Sequence, residues 1–172
     1  MKKEYTKVII PINLDNPPKE NEIQIAEIIA KHYNAIVEFL RPIDDYKRKT
    51  PDIVFNGQLW EIKSPMGKSR NTISRQMKRA VKQSRNIIID GGRSPLADVV
   101  IEMELRKHCV TRRSIRKLIF ISKEQIVVEI LWKQWYCKNI ERPGSVLIAQ
   151  SKEYSILKKH LASSRKVFFF IS

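Results

Sequence analysis

Asp52, Glu61 and Lys63 stand in one short stretch, TPDIVFNGQLWEIKSP (residues 50–65), whose other positions read as two apolar strands. Asn56-Gly57 between apolar runs is a strong signal for a two-residue hairpin turn. Such a turn fixes the register: Phe55 opposite Gln58, Val54 opposite Leu59, Ile53 opposite Trp60 and Asp52 opposite Glu61. Opposed residues share a sheet face, with Cβ atoms about 4.5–5.5 Å apart. Side chains alternate along a strand, so Lys63 lies on the face of Glu61. The spacing therefore predicts two carboxylates and a lysine converging at one end of the hairpin. Opposed carboxylates repel, and on a half-buried sheet something must neutralise them. A divalent cation does so: Mg²⁺ takes oxygen ligands at about 2.0–2.1 Å and keeps waters in its other positions. It also lowers the pKa of a bound water enough for attack on phosphorus. The lysine would orient that water or stabilise charge on the phosphate.

A third ligand is expected from IQIAEIIA (residues 23–30), where Glu27 is the single ionisable residue of an apolar octet. At helical spacing it falls with Ile23, Ala30 and Asn34, near the face that should meet a sheet. Mg²⁺ is the first choice for the ion, with Mn²⁺ or Zn²⁺ as alternatives. His32, His108 and His160 are far apart in sequence, and no Cys/His spacing has the form of a zinc site. All three histidines are expected to be structural. No glycine-rich phosphate loop is present.

Formal net charge is +15 over 172 residues, which favours a polyanionic partner, either nucleic acid or an anionic membrane surface. Residues 68–117 carry fourteen Lys/Arg against four Asp/Glu, whereas residues 1–67 carry ten of each. One-sided clustering goes beyond what solubility requires. Arg75, Lys78, Arg79, Lys82 and Arg85 cover much of one predicted helix, and Arg112, Arg113 and Arg116 follow in TRRSIRK. These eight residues are the candidate phosphate contacts. Trp132 and Trp135 are read as packing residues rather than base-stacking ones.

Two cysteines make no disulfide framework, and no 18-residue apolar run offers a membrane span. The apolar part of MKKEYTKVIIPI is too short for a signal peptide. The expected site of action is the cytoplasm, with any export left to another device.

The elements that must position these residues follow from periodicity. A helix is predicted over 20–33, a strand over 35–40, the hairpin strands, a basic helix over 71–86 and a buried strand NIIID (86–90). Ser94-Pro95 is predicted to cap a helix running to about His108. Strands KLIFIS (117–122) and QIVVEIL (125–131) follow, with a helix near 152–161 in a less regular ending. The expected class is mixed α/β with one central sheet flanked by helices. The division is residues 1–131 as the core and 132–172 as a C-terminal extension.

PD at 51–52 followed by EIK at 61–63, with a helix glutamate before and a basic helix after, resembles the PD-(D/E)xK nuclease superfamily. LWEIKSP and NTISRQMKRAVKQSRNIIID are similar to the C-terminal tRNA nuclease domain of contact-dependent growth inhibition toxins of the CdiA type. The resemblance covers roughly residues 20–130. It implies a restriction-endonuclease-like core and a metal-dependent nuclease centred on Glu27, Asp52, Glu61 and Lys63. It also implies RNA, specifically tRNA, as substrate, and a cognate immunity protein that blocks the site. Ser64, Thr72, Gln76 and Gln83 are the polar positions this pattern sets near the site. Without the resemblance, the chemistry leaves open a DNA endonuclease with the same residues, or a non-catalytic nucleic-acid-binding protein whose triad is structural.

Overall fold

The computed structural model describes residues 7–12, 14–42 and 50–132. The expectations for residues 133–172, including Trp135, His160 and the helix near 152–161, lie outside the described residues.

The described chain forms strand β1 (Lys7–Ile9), helix α1 (Glu20–Tyr33), and strands β2 (Ile36–Phe39), β3 (Ile53–Phe55) and β4 (Gln58–Lys63). Helix α2 (Arg70–Gln83), strand β5 (Asn86–Asp90), helix α3 (Asp98–Thr111) and strands β6 (Lys117–Ile121) and β7 (Val127–Trp132) follow. All seven strands join one mixed sheet in the order β1-β2-β3-β4-β5-β6-β7. The pairs β1–β2, β4–β5 and β5–β6 are parallel and the other three antiparallel. The expected mixed α/β sheet with flanking helices is present.

Two apolar cores lie on opposite faces of this sheet, each made by strand alternation. On one face α1 buries Ile25, Ala26, Ile29 and Ala30 against Val37, Phe39, Ile53, Phe55, Trp60, Ile62 and Ile88. On the other, α2 and α3 bury Ile73, Met77, Ala80, Ile101 and Leu105 against Ile87, Ile89, Leu118 and Phe120. Strand β5 is apolar at successive positions because both of its faces are covered. No helix among the described residues is long and apolar enough to cross a membrane.

Two boundaries differ from the periodicity. Strand β1 is added at the sheet edge by parallel pairing with β2, a contact that three residues cannot announce. Helix α3 starts at Asp98 rather than after Ser94, because Ser94 Oγ accepts from Leu96 N and so closes a turn of its own. Ser69 caps α2 instead, its Oγ accepting from Asn71 N.

Candidate active site

The hairpin turn forms as its sequence requires, with Asn56 at φ 50° and Gly57 at φ 66°, the left-handed region of a two-residue loop. Register holds at Phe55–Gln58, Val54–Leu59 and Ile53–Trp60. Trp60 and Ile62 then enter the α1 core, and Trp60 stacks on Phe55 at 4.6 Å between centroids. Glu61 and Lys63 must point to the opposite face. Their registered partners across the parallel pair, Ile87 and Ile89, lie in the α2–α3 core. Glu61 is 0% exposed, and Lys63 Nζ donates to its Oε1.

Asp52 does not extend the ladder as its predicted pairing with Glu61 supposed. Strand β3 begins at Ile53, because Pro51 has no N–H to continue the pairing. The Asp52 amide turns to the carbonyl of Trp60 at 3.0 Å, and Leu40 N donates to the Asp52 carbonyl at 3.0 Å. Its carboxylate accepts from the Ile62 amide at 2.7 Å, standing in for a strand carbonyl. Asp52 thus reaches the neighbourhood of Glu61 through its side chain.

The two carboxyls feel each other. Burial, and next the charge of Asp52, push Glu61 up to about 7, with Lys63 opposing. Burial likewise raises Asp52 above the ordinary carboxyl range, while the Ile62 amide and Lys63 pull it back. Two carboxyls this close, one of them fully buried, are driven toward protonation unless a cation is supplied. Glu61 Oε2 is buried and receives no hydrogen bond among the described residues. An unsatisfied buried carboxylate oxygen beside a second carboxylate suits a hard divalent cation.

Glu27 does not complete this set. It is exposed on α1, off the stripe of Ile25, Ala26, Ile29 and Ala30 that the helix buries. The α1 carboxylate whose charge bears on Asp52 is Glu22, in the first helical turn. It stands three, four and seven residues before Ile25, Ala26 and Ile29, on the sheet-facing stripe. Its Oε2 also accepts from the Lys19 amide at 3.0 Å. Among the described residues no group of three or more His, Cys, Asp or Glu side chains gathers around one point. Mg²⁺ does not need one, since it is commonly held by one or two carboxylates plus substrate phosphates.

Of the other polar positions, Ser64 directly follows β4, and its Oγ is buried without a hydrogen-bond partner among the described residues. Thr72 is buried in the first turn of α2 and closes on Gly67, where a Cβ would come within 2.3 Å of Thr72 Oγ1. Gln76 and Gln83 are half-buried along the same helix.

The basic residues lie on α2 and in the loop before β6. Arg75, Lys78, Arg79 and Lys82 are exposed along α2, and none of them forms a salt bridge among the described residues. Arg85, just beyond α2, is also exposed, and its carbonyl accepts the amides of Arg116 at 2.8 Å and Lys117 at 3.4 Å. The end of α2 is thereby tied to the loop that carries exposed Arg113 and Arg116 and half-buried Arg112.

Residues 49–127 match the family model of the contact-dependent growth inhibition CdiA C-terminal domain. The matched stretch contains the hairpin, both basic segments and every strand from β3 to β6. No curated protein matches the chain. Among solved structures, the fold is similar to the CdiA-CT/CdiI toxin and immunity complex from Burkholderia pseudomallei, with a TM-score of 0.54. That likeness covers 73% of this chain and 98% of the other, at 17% sequence identity.

Proposed function

We propose that this chain is a toxin-like, metal-dependent nuclease with a PD-(D/E)xK core, hydrolysing phosphodiester bonds of RNA, with tRNA as its substrate. The observation that carries the reading is the half-buried Asp52 beside the fully buried Glu61, whose Oε2 accepts no hydrogen bond among the described residues, with Lys63 against it and a one-signed basic face on the next helix. Asp52 and Glu61 would hold the cation; their hard carboxylate oxygens favour Mg²⁺ or Mn²⁺ over Zn²⁺. When bound, the cation supplies charge neutralisation and Lewis-acid activation of water and phosphate. Lys63 supplies a positive group on the same face, placed to hold the reacting water or the phosphate charge. The α2 surface binds and orients the backbone.

Hydrolysis by an external water suits the carboxylates and Lys63 on one face, and neither the hairpin nor α2 carries a histidine to serve as base for attack by the RNA 2′-OH. His32 is exposed and packs edge-on against Tyr33. His108 has both ring nitrogens engaged, one by Ser74 and one by Arg112. The site of action is the cytoplasm, where tRNA is found. A cognate immunity protein is expected to be acidic where it covers the basic surface.

The test is incubation of the purified full chain with total tRNA, ribosomal RNA and plasmid DNA, each with Mg²⁺, Mn²⁺, Zn²⁺ or chelator. Cleavage of tRNA with Mg²⁺ or Mn²⁺, and none in chelator, is expected. Cutting of DNA alone reassigns the substrate. Binding without cleavage under every metal reduces the carboxylates to structural groups and overturns the proposal.

A related expectation concerns the basic helix. Its side chains are long, exposed cations that form no salt bridge among the described residues, suited to holding phosphates. Neutralising Arg75, Arg79 and Lys82 together should weaken binding to all sequences alike. Each lost contact should lower the salt slope by roughly 0.7–0.9. A loss confined to one sequence at unchanged slope would indicate base reading instead.

A further inference from the structure

Ser74, His108 and Arg112 form a hydrogen-bonded chain between α2 and the end of α3. Ser74 Oγ lies 3.0 Å from His108 Nε2, and Arg112 Nε donates to His108 Nδ1 at 3.2 Å. A guanidinium has no acceptor, so Nδ1 must accept and the ring hydrogen sits on Nε2, donating to Ser74. Arg112 is tied to His108 a second time, its backbone amide donating to the His108 carbonyl at 2.9 Å as the helix cap.

The surroundings keep this ring neutral. Burial and the charge of Arg112 lower the His108 pKa, Lys78 on α2 and Lys107 on α3 add to this, and Glu104 opposes them. Glu104 is already engaged by Lys107 at 2.8 Å and lies 3.9 Å from Arg70. Arg112 itself forms no salt bridge among the described residues. Its Nε is held by His108, and its terminal nitrogens meet no carboxylate among the described residues. A planar fork held in this way suits bidentate contact with a phosphate.

We propose that Ser74 and His108 are positioning residues that present the Arg112 guanidinium to one backbone phosphate of bound nucleic acid. This rests on the nucleic-acid reading above and adds a fixed anchor to the basic surface. The relay acts through orientation: His108 contributes no charge, Arg112 sets which ring nitrogen accepts, and Ser74 takes the hydrogen of the other.

The test is anisotropy of a fluorescein-labelled single-stranded RNA, and of DNA of the same sequence, with the full chain in chelator so that neither is cut. Arg112→Ala should weaken binding about 10-fold, the scale of a charge-assisted hydrogen bond, and lower the salt slope by about 0.7–0.9. His108→Phe keeps the ring shape and removes the acceptor. It should weaken binding several-fold at unchanged salt slope. His108→Asn, which keeps an uncharged acceptor near the Nδ1 position, should restore affinity. The double variant Arg112→Ala/His108→Phe should bind no more weakly than Arg112→Ala, because His108 acts only through Arg112. Additive losses would make His108 merely structural and overturn the proposal. Unchanged binding by Arg112→Ala would overturn it while leaving the nucleic-acid reading intact. Absence of wild-type binding to either strand at low salt would overturn both. If His108→Phe melts below the assay temperature, His108→Asn decides: wild-type affinity supports the relay, and a loss equal to that of Arg112→Ala refutes it.

Discussion

Glu61→Gln is expected to abolish cleavage and, in the same variant, to raise the melting temperature of the metal-free protein above neutral pH. The first effect follows from loss of a ligand, the second from loss of a buried charge. Glu61 titrates near 7 in the folded chain, against an ordinary value of 4.5. Between those values the folded state binds the proton and the unfolded state releases it. Stability therefore falls as pH rises through this window, and the full penalty is present above 7. At roughly 1.4 kcal/mol per pKa unit the penalty is on the order of 3 kcal/mol. Gln cannot ionise and escapes it, less what the weakened Lys63 bond contributes. The expected rise is about 3–8 °C for a chain of this size, shrinking to nothing below about pH 4.5. Adding Mg²⁺ should stabilise the wild type and leave Glu61→Gln unmoved. Asp52→Asn should also abolish cleavage with a smaller gain, since the Ile62 amide already favours its charged form. Melting curves across pH, with and without Mg²⁺, check both effects. Lower melting temperatures in both variants at every pH, with cleavage retained, would favour a structural ion pair.

Lys63→Ala should reduce turnover by about 10²–10⁴-fold, the range for a positioned proton-transfer or charge-stabilising group. Metal affinity should not fall with it. Lys63 donates to Glu61 Oε1, so its removal frees a carboxylate oxygen for the cation. Calorimetric titration of Mn²⁺ is expected to show equal or tighter binding in the variant. A matched loss of metal binding and turnover would make Lys63 a scaffold for the carboxylates. The products carry a second check: hydrolysis by water with the 3′-oxygen leaving, the usual course, gives a 5′-phosphate and a 3′-OH, which mass spectrometry identifies. Cyclic 2′,3′-phosphates formed equally well in chelator would rule out this chemistry and reduce Asp52, Glu61 and Lys63 to scaffolding.

Local rules carried the hairpin. Asn56-Gly57 allows few turns, a two-residue turn sets the register, and strand alternation puts Glu61 and Lys63 on one face with Trp60 on the other. The α2 core stripe of Ile73, Met77 and Ala80, and the exposed cations between those positions, follow from helical period in the same way. Each of these is settled within one or two turns of chain. What the tertiary structure decided involves partners distant in sequence. Strand β1 exists only because β2 offers it an edge. The proximity of Asp52 to Glu61 depends on a carboxylate reaching the Ile62 amide where Pro51 ends the ladder. Glu27 stands out in an apolar octet, yet Glu22 is the carboxylate that acts on Asp52, because only packing fixes which end of α1 meets the hairpin. His108 lies 34 residues from Ser74, and no spacing in the sequence joins them. Hydrogen bonding and alternation over a few residues are set by backbone geometry that every chain shares. Which face of a helix meets which end of a sheet is set by burial summed over the whole fold, and a single sequence does not display that sum.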